Sequence, residues 1–215
     1  LGPIDYNMNM ELKQGEKIEL PEIICYETTN RMDFDSYKLH NFMHTNYPRR
    51  EMPMIYNTWM YKYTAFTPEL LLEQAKVAKK MGLEYFVIDA GWFGREGINW
   101  FNTVGDWSEN PVDGFHGTMK EFADKIRAMG LKFGIHIMRG IPRQAAHQNT
   151  KIKCEGVTAK DIAKPTSICL WNPDMYGVDP DAKGAQEYYY SLFELYASWG
   201  VDYIKCDDIA NTEMY

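Results

Sequence analysis

Three stretches of the chain repeat one pattern of hydrophobic and polar positions: "MGLEYFVIDA" from Met81, "MGLKFGIHIM" from Met129 and "WGVDYIKCDD" from Trp199. Each passes from a large apolar residue through Gly, a branched residue, a charged residue and an aromatic into an apolar run. An apolar residue followed by Gly marks a helix C-terminus whose glycine turns left-handed, and here a strand follows at once. Helical spacing precedes each glycine. "TPELLLEQAKVAKKM" opens with Thr67 as N-cap and Pro68 in the first turn. "TMKEFADKIRAM" opens with Thr118 and Glu121 placed as a capping box, and "AQEYYYSLFELYASW" keeps its apolar residues at helical spacing. An earlier strand, "MIYNTW" at 54–59, has no such helix before it.

The pattern therefore predicts strands near 54–59, 84–89, 132–138 and 202–207. Helix-to-strand connections are one or two residues long, whereas strand-to-helix connections run to about 27 residues after Asp89 and about 45 after Met138. Long loops on the carboxyl side of parallel strands are the habit of a (β/α)8 TIM-type barrel, whose site they build. A doubly wound sheet is the runner-up, but no GxGxxG follows a strand, and the glycines of "GWFGREG" at 91–97 are wrongly spaced for one. Four strand-helix units are half of a closed barrel, so residues 51–215 are expected to be the first half of a catalytic barrel cut from a longer protein. Residues 1–50 differ. "MELKQGEKIELPEIICYET" alternates in β fashion around Gly15 and Pro21, and "DFDSYKLHNFMHTNY" reads as a short amphipathic helix. This part is expected to be a β-rich segment leading from a preceding β-sandwich.

Composition narrows the classes. At 215 residues and 45% hydrophobic content the chain can bury a core, and its net charge of −7 argues against a nucleic-acid partner. No 18-residue apolar stretch is present to span a membrane, and "LGPIDYNMNM" lacks the regions of a signal peptide. The four cysteines, at 25, 154, 169 and 206, share no metal-finger or CxxC spacing. They read as free thiols or at most one bridge, which assigns no compartment.

Counting from the repeat glycines picks out the candidate chemistry. Asp89 stands seven residues after Gly82 and Asp207 seven after Gly200, so both carboxylates are expected at strand ends on the loop face. Lys205, two residues before Asp207, shares its facing, and an ammonium there favours the ionised carboxylate that a nucleophile needs. Cys206 takes the opposite facing, toward the helices, and Asp208 points away from the mouth as an ion-pair or capping group. His136, six residues after Gly130, has the other parity by this count. Trp92, Trp100 and Trp107 lie in the long second loop, and aromatic faces beside carboxylates suit sugar rings.

These residues resemble a known family. "NTW" at 57–59, "FVIDAGWFG" at 86–94, "GDW" at 105–107, "LKFGIHIMRG" at 131–140 and "WGVDYIKCDD" at 199–208 together are similar to the α-galactosidases (melibiases) of glycoside hydrolase families 27 and 36. "LKQGEKIELPE" resembles the family 36 segment between sandwich and barrel, and "GIHIMRGIPRQA" looks closer to a family 27-like branch. The resemblance implies a retaining mechanism with two carboxylates about 5–5.5 Å apart. By motif, Asp207 is the implied nucleophile, Lys205 and Asp89 ligands of sugar hydroxyls, and Trp59 and Trp92 walls of the sugar pocket, with His136 and Trp107 also lining it. A glycoside or oligosaccharide is the implied partner; no cofactor or metal is implied, and relatives often form homo-oligomers.

The sequence departs from the family pattern at three points. Ala90 replaces the second aspartate of the D-D-x-W motif, His136 replaces an aromatic, and the family's acid/base aspartate is expected beyond Tyr215. That leaves a fragment expected to be inactive by itself. Terminal α-galactosides lead as the implied substrate, with α-N-acetylgalactosaminides and β-L-arabinopyranosides as alternatives, and losing a carboxylate ligand of the sugar favours the last, which lacks the exocyclic hydroxymethyl. Two readings of other kinds stay open: a metal-dependent barrel enzyme using Asp89, Asp207 and His136, and a carbohydrate-binding barrel without catalysis.

Overall fold

The computed structural model describes residues 11–19, 23–47, 51–93, 119–138, 140–152, 154–169 and 172–207. The chain divides into two units, Leu1–Met52 and Pro53–Tyr215.

In the first unit, helix α1 (Met32–Asn46) forms where helical spacing predicted it. Its buried Asp35 turns back to accept hydrogen bonds from the backbone N–H and hydroxyl of Thr29, which tie the preceding extended segment to the helix. The β character expected of residues 10–28 is not seen as paired strands among the described residues. Described residues 11–19 and 23–29 are extended or turned, with none paired in a sheet. Alternation makes a strand only where a second strand takes up its N–H and C=O groups.

The second unit begins with strand β1 (Ile55–Asn57) and the short helix α2 (Trp59–Lys62), followed by helix α3 (Pro68–Lys80) and strand β2 (Tyr85–Ile88). Helix α4 (Met119–Ala128) and strand β3 (Lys132–Met138) come next. Then strand β4 (Ile141–Pro142), helices α5 (Arg143–His147) and α6 (Ala159–Ile162), and strands β5 (Ala163–Cys169) and β6 (Asn172–Val178) form an insertion. Helix α7 (Ala185–Trp199) and strand β7 (Tyr203–Asp207) complete the described chain. Strands β1, β2, β3 and β7 pair in that order, all parallel. Phe86, Ile88, Phe133, Ile135 and Ile137 line one face of this sheet. They share a core with Leu71, Ala75 and Ala78 of α3, Phe122, Ala123 and Ile126 of α4, and Tyr196 and Trp199 of α7. Sequential parallel order with the crossover helices on one face argues against a doubly wound sheet, which carries helices on both.

The local signals work as the sequence implies. Thr67 accepts a hydrogen bond from the Leu70 N–H, capping α3, and the three repeat glycines Gly82, Gly130 and Gly200 have φ of 83°, 78° and 80°. Those values are cheap for glycine and costly for a residue with a Cβ. The proposed cap at Thr118 lies outside the described residues. Glycine serves a different need at Gly134, where a Cβ would come within 2.9 Å of both Val87 Cγ2 and the Tyr203 carbonyl oxygen.

The long connection after β3 is a correction, because it is folded rather than a loop. Strands β4, β6 and β5 make an antiparallel sheet in that order, over a second core of Ile141, Ala145, Ala146, Ile162 and Val178. Helix α7 serves both cores, with Ala185 and Tyr188 in the second and Tyr196 and Trp199 in the first.

Candidate active site

The strand register sets the site. Tyr85 pairs with Lys132, three residues past one repeat glycine and two past the next, and Gly134 pairs with Tyr203, four past and three past. Each neighbour is thus staggered by one residue, the kind of stagger a closed barrel requires. Two corrections follow. His136 pairs with Lys205 and therefore shares its facing, despite the parity of simple counting. Asp89, next after Ile88, which pairs with Ile135, comes level with His136 and Lys205, while Asp207 stands two residues further toward the carboxyl edge.

One ammonium joins the carboxylates. Lys205 Nζ lies 2.8 Å from Asp89 Oδ2 and 3.1 Å from Asp207 Oδ2. Asp89 is buried, and its oxygens also accept from Asn57 Nδ2 at 2.8 Å and from the Ala90 N–H at 2.8 Å. Three donors among the described residues, on a carboxylate with about four acceptor positions, leave one position that these residues do not fill. Burial alone would raise the Asp89 carboxyl, but the Lys205 ammonium, aided by the Ala90 and Asn57 donors, holds it below the ordinary value. Burial likewise works against the Lys205 charge, and Asp89 and Asp207 outweigh it, so Lys205 is raised.

His136 lies deepest, 2% exposed, with Nε2 3.3 Å from Asp207 Oδ2. Burial depresses its basicity and Lys205 adds to that, against opposing pulls from Asp89 and Asp207, so the imidazole is neutral near pH 7. Asp207 itself is different, with a side chain 48% exposed. The arrangement offers one open carboxylate at a strand end, its charge held by an adjacent cation, above a buried carboxylate held ionised by the same cation.

The predicted tryptophans separate. Trp92, expected to face a sugar, is fully buried, which corrects that expectation. Its ring meets Phe93, Tyr196 and Trp199 edge-on, with centroids 5.4, 6.1 and 6.0 Å away, and its Nε1–H donates to the His136 carbonyl at 2.8 Å. Trp59 starts α2 rather than ending β1. It is half-buried and edge-on to Tyr63 at 5.1 Å, and its N–H is held by Asn57 Oδ1 at 2.9 Å. Trp100, Trp107 and Asp208 lie outside the described residues. Cys206 takes the facing expected of it, toward Tyr196 of α7, but is exposed rather than packed away.

Two residues of the site were not singled out by sequence reasoning. Asn57 reaches Asp89 from β1, and the buried Thr58 hydroxyl accepts the Asp89 N–H at 2.9 Å. Both belong to "NTW", so a polar pair at the carboxyl end of a strand was the available signal.

The model of the Melibiase family matches residues 19–147. A solved putative α-N-acetylgalactosaminidase from Bacillus halodurans is 43% identical with a TM-score of 0.65, over 76% of this chain and 42% of that one. A glycoside hydrolase family 27 β-L-arabinopyranosidase from Geobacillus stearothermophilus is 42% identical with a TM-score of 0.65, over 76% and 41%. An α-galactosidase of Lactobacillus acidophilus is 32% identical over 137 residues, 61% of this chain and 18% of that protein. The chain thus spans about a fifth of the length of that α-galactosidase and about two fifths of the two solved enzymes.

Proposed function

The chain belongs to the melibiase family, and from that premise we propose that it carries the nucleophile of a retaining glycoside hydrolase acting on terminal galactose-like residues. In this reading residues 51–215 form the first half of a (β/α)8 barrel, and residues 1–50 lead into it. The observation that carries the reading is Asp207, a half-exposed carboxylate at the end of a parallel strand with Lys205 and His136 both on its Oδ2.

The chemistry follows from that placement. An Asp207 oxygen bonds to the anomeric carbon as the bond to the departing oxygen breaks, and that oxygen takes a proton from a second carboxyl group. Water then attacks the glycosyl-enzyme, gives its proton to the same second group and returns Asp207 as a carboxylate. Asp89 is unsuited to be that acid, because Lys205 keeps it ionised. Its open acceptor position suits a sugar hydroxyl, as Lys205 suits another, with Trp59 at the rim and Trp107 as a further aromatic of the pocket. No described residue is assigned as the proton donor, and without that group turnover falls by roughly 10²–10⁴-fold. A metal-centred reading is disfavoured by charge: the Lys205 ammonium already stands between Asp89 and Asp207, where a cation would have to sit.

The test is a fluorosugar of galacto configuration with fluoride at C1. Its C1–F bond breaks without proton donation, so the Asp207–C1 bond forms whether or not the acid is present. Mass spectrometry is expected to find the label on Asp207, and a label on any other residue overturns the assignment. A second reading concerns the sugar. Ala90, 3% exposed beside Asp89, puts a methyl group where the family pattern has a carboxylate, which favours a pyranose without the exocyclic hydroxymethyl. One of the two solved relatives, the β-L-arabinopyranosidase, is named for a sugar of that kind, which supports widening the substrate class in this way. Higher kcat/KM on an aryl α-galactoside than on the matching β-L-arabinopyranoside overturns this second reading alone.

A further inference from the structure

We propose that His136 is a positioning residue for Asp207: its Nε2–H donates to Oδ2 and, together with Lys205, fixes the rotation of the carboxylate and holds the charge that returns to it when the glycosyl-enzyme breaks down. The inference rests on the reading of Asp207 as nucleophile. It assigns His136 a task that neither sugar binding nor core packing includes.

The geometry carries it. His136 is 2% exposed, so a sugar hydroxyl has little access to the ring, yet Nε2 lies 3.3 Å from the half-exposed Asp207 Oδ2. The strand is pinned at this point, because Trp92 Nε1–H donates to the His136 carbonyl at 2.8 Å and His136 pairs with Lys205 across the sheet. The groups facing the ring are Asp89 after β2, and Lys205 and Asp207 on β7. With burial and the Lys205 ammonium opposing protonation, the imidazole carries one N–H. A carboxylate oxygen only accepts, so that hydrogen belongs on Nε2. Nδ1 is then left as a bare acceptor, and it has no hydrogen-bond partner among the described residues. A buried N–H without a partner would be costly; a bare imine nitrogen is cheaper.

The role falls on the second chemical step. When water bonds to the anomeric carbon, the C1–O bond to Asp207 breaks and its electron pair returns to the carboxylate, while the water proton goes to the acid/base group. A donor on Oδ2 stabilises that returning charge, as it stabilises the resting carboxylate. Removing the donor therefore slows deglycosylation more than glycosylation.

The experiment uses the full-length protein and an aryl galactoside with a good leaving group, so that glycosylation is fast. His136→Phe keeps a ring and removes the donor; His136→Gln keeps an N–H near the position of Nε2. The expected result for His136→Phe is a fall in kcat on the order of 10- to 100-fold with KM falling alongside it, and a glycosyl-Asp207 adduct accumulating in the steady state. His136→Gln is expected to recover most of the turnover and to lose the accumulation. A merely structural histidine predicts otherwise: kcat and kcat/KM fall together, no adduct accumulates and Gln is no better than Phe, and that pattern overturns the proposal. So does wild-type turnover in His136→Phe. Should the variant fail to fold, the imidazole nitrogen chemical shifts of the wild-type protein decide. A protonated Nε2 with bare Nδ1 supports the proposal, and the reverse tautomer overturns it. Absence of any Asp207 adduct when the wild type is treated with the fluorosugar removes the nucleophile reading and this inference with it, whereas a fluorosugar adduct with an indifferent His136→Phe removes only the inference.

Discussion

The two faces of the parallel sheet use the same strands for opposite purposes. Toward the helices stand Phe86, Ile88, Phe133, Ile135 and Ile137, all buried and apolar. Alternate positions on the other face hold Asn57, Asp89, His136, Lys205 and Asp207, whose side chains are joined by hydrogen bonds and ion pairs. Two-residue periodicity is what separates them, since successive side chains of a strand point to opposite faces. Stability and chemistry are thereby assigned to adjacent residues, Ile88 beside Asp89 and Ile135 beside His136, and substitutions can address one without the other.

The largest expected effect tests the polar face. Asp207→Ala should lower turnover on glycosides by on the order of 10⁴-fold or more while leaving the thermal midpoint nearly unchanged, because the half-exposed carboxylate supports no core. Steady-state kinetics and a melting curve on the same sample check both halves. The apolar face is tested next by Trp92→Ala, which empties a fully buried site and removes the donor to the His136 carbonyl. A loss of about 3–5 kcal/mol in denaturant unfolding is expected. Unchanged stability combined with lost sugar binding would instead return Trp92 to the pocket and break the division between faces.

Legibility in the sequence followed the range of the forces involved. The helix-to-strand junctions were readable because a glycine turning left-handed after a helix is a property of a few consecutive residues, and Gly82, Gly130 and Gly200 behave alike. The pairing of Lys205 with Asp207 was readable for the same reason, as both lie on one strand. The stagger between strands is a property of pairs, so counting along the chain set His136 on the wrong parity and Asp89 level with Asp207. The link from Lys205 to Asp89 spans 116 residues and appears only with the register. In the inserted sheet the pairing of β4 is remote, with Ile141 opposite Tyr176, whereas β5 and β6 are consecutive strands in which Thr166 and Ile168, then Tyr176 and Val178, carry a short two-residue alternation that sequence reasoning passed over. Trp92 misled because a residue beyond a strand end was assigned to a loop, whereas the chain turns there back into the core.

The polar face has a pH signature that the apolar face lacks. His136 is held below its ordinary value of 6.5, chiefly by burial, so the unfolded chain binds its proton more readily than the folded one. Stability attached to it is complete above pH 6.5 and declines as pH falls below that value. Asp89 is held below 3.8: burial opposes its charge, but the Lys205 ammonium and its other donors prevail. A second loss therefore sets in as pH drops below 3.8. Denaturant unfolding followed from pH 8 to pH 3 is expected to show both declines in the wild type and only the acidic one in His136→Gln. A variant that keeps the first decline would assign it to another group.

The smallest effect asks whether the frame is separable from the site. Thr67 caps α3 through a hydrogen bond of 3.3 Å from the Leu70 N–H, a long contact at an exposed helix end. Its loss in Thr67→Ala should cost about 0.5–1 kcal/mol, the lower part of the range for N-caps. Helix α3 reaches the strands of the site through the core, where Leu71, Ala75 and Ala78 share a cluster with Phe86 and Ile88, and through Gln74, whose Oε1 accepts from the Tyr56 hydroxyl on β1. The strands transmit a shift of α3 to Asp89 only if β1 or β2 itself moves, and Asp89 is also fixed by its own backbone neighbour Ala90 and by Lys205. Thr67→Ala is therefore expected to lower the melting midpoint slightly while kcat/KM stays at the wild-type value. A parallel fall in kcat/KM would mean that the carboxylate network depends on helix packing, and that the two faces of the sheet are coupled through β2.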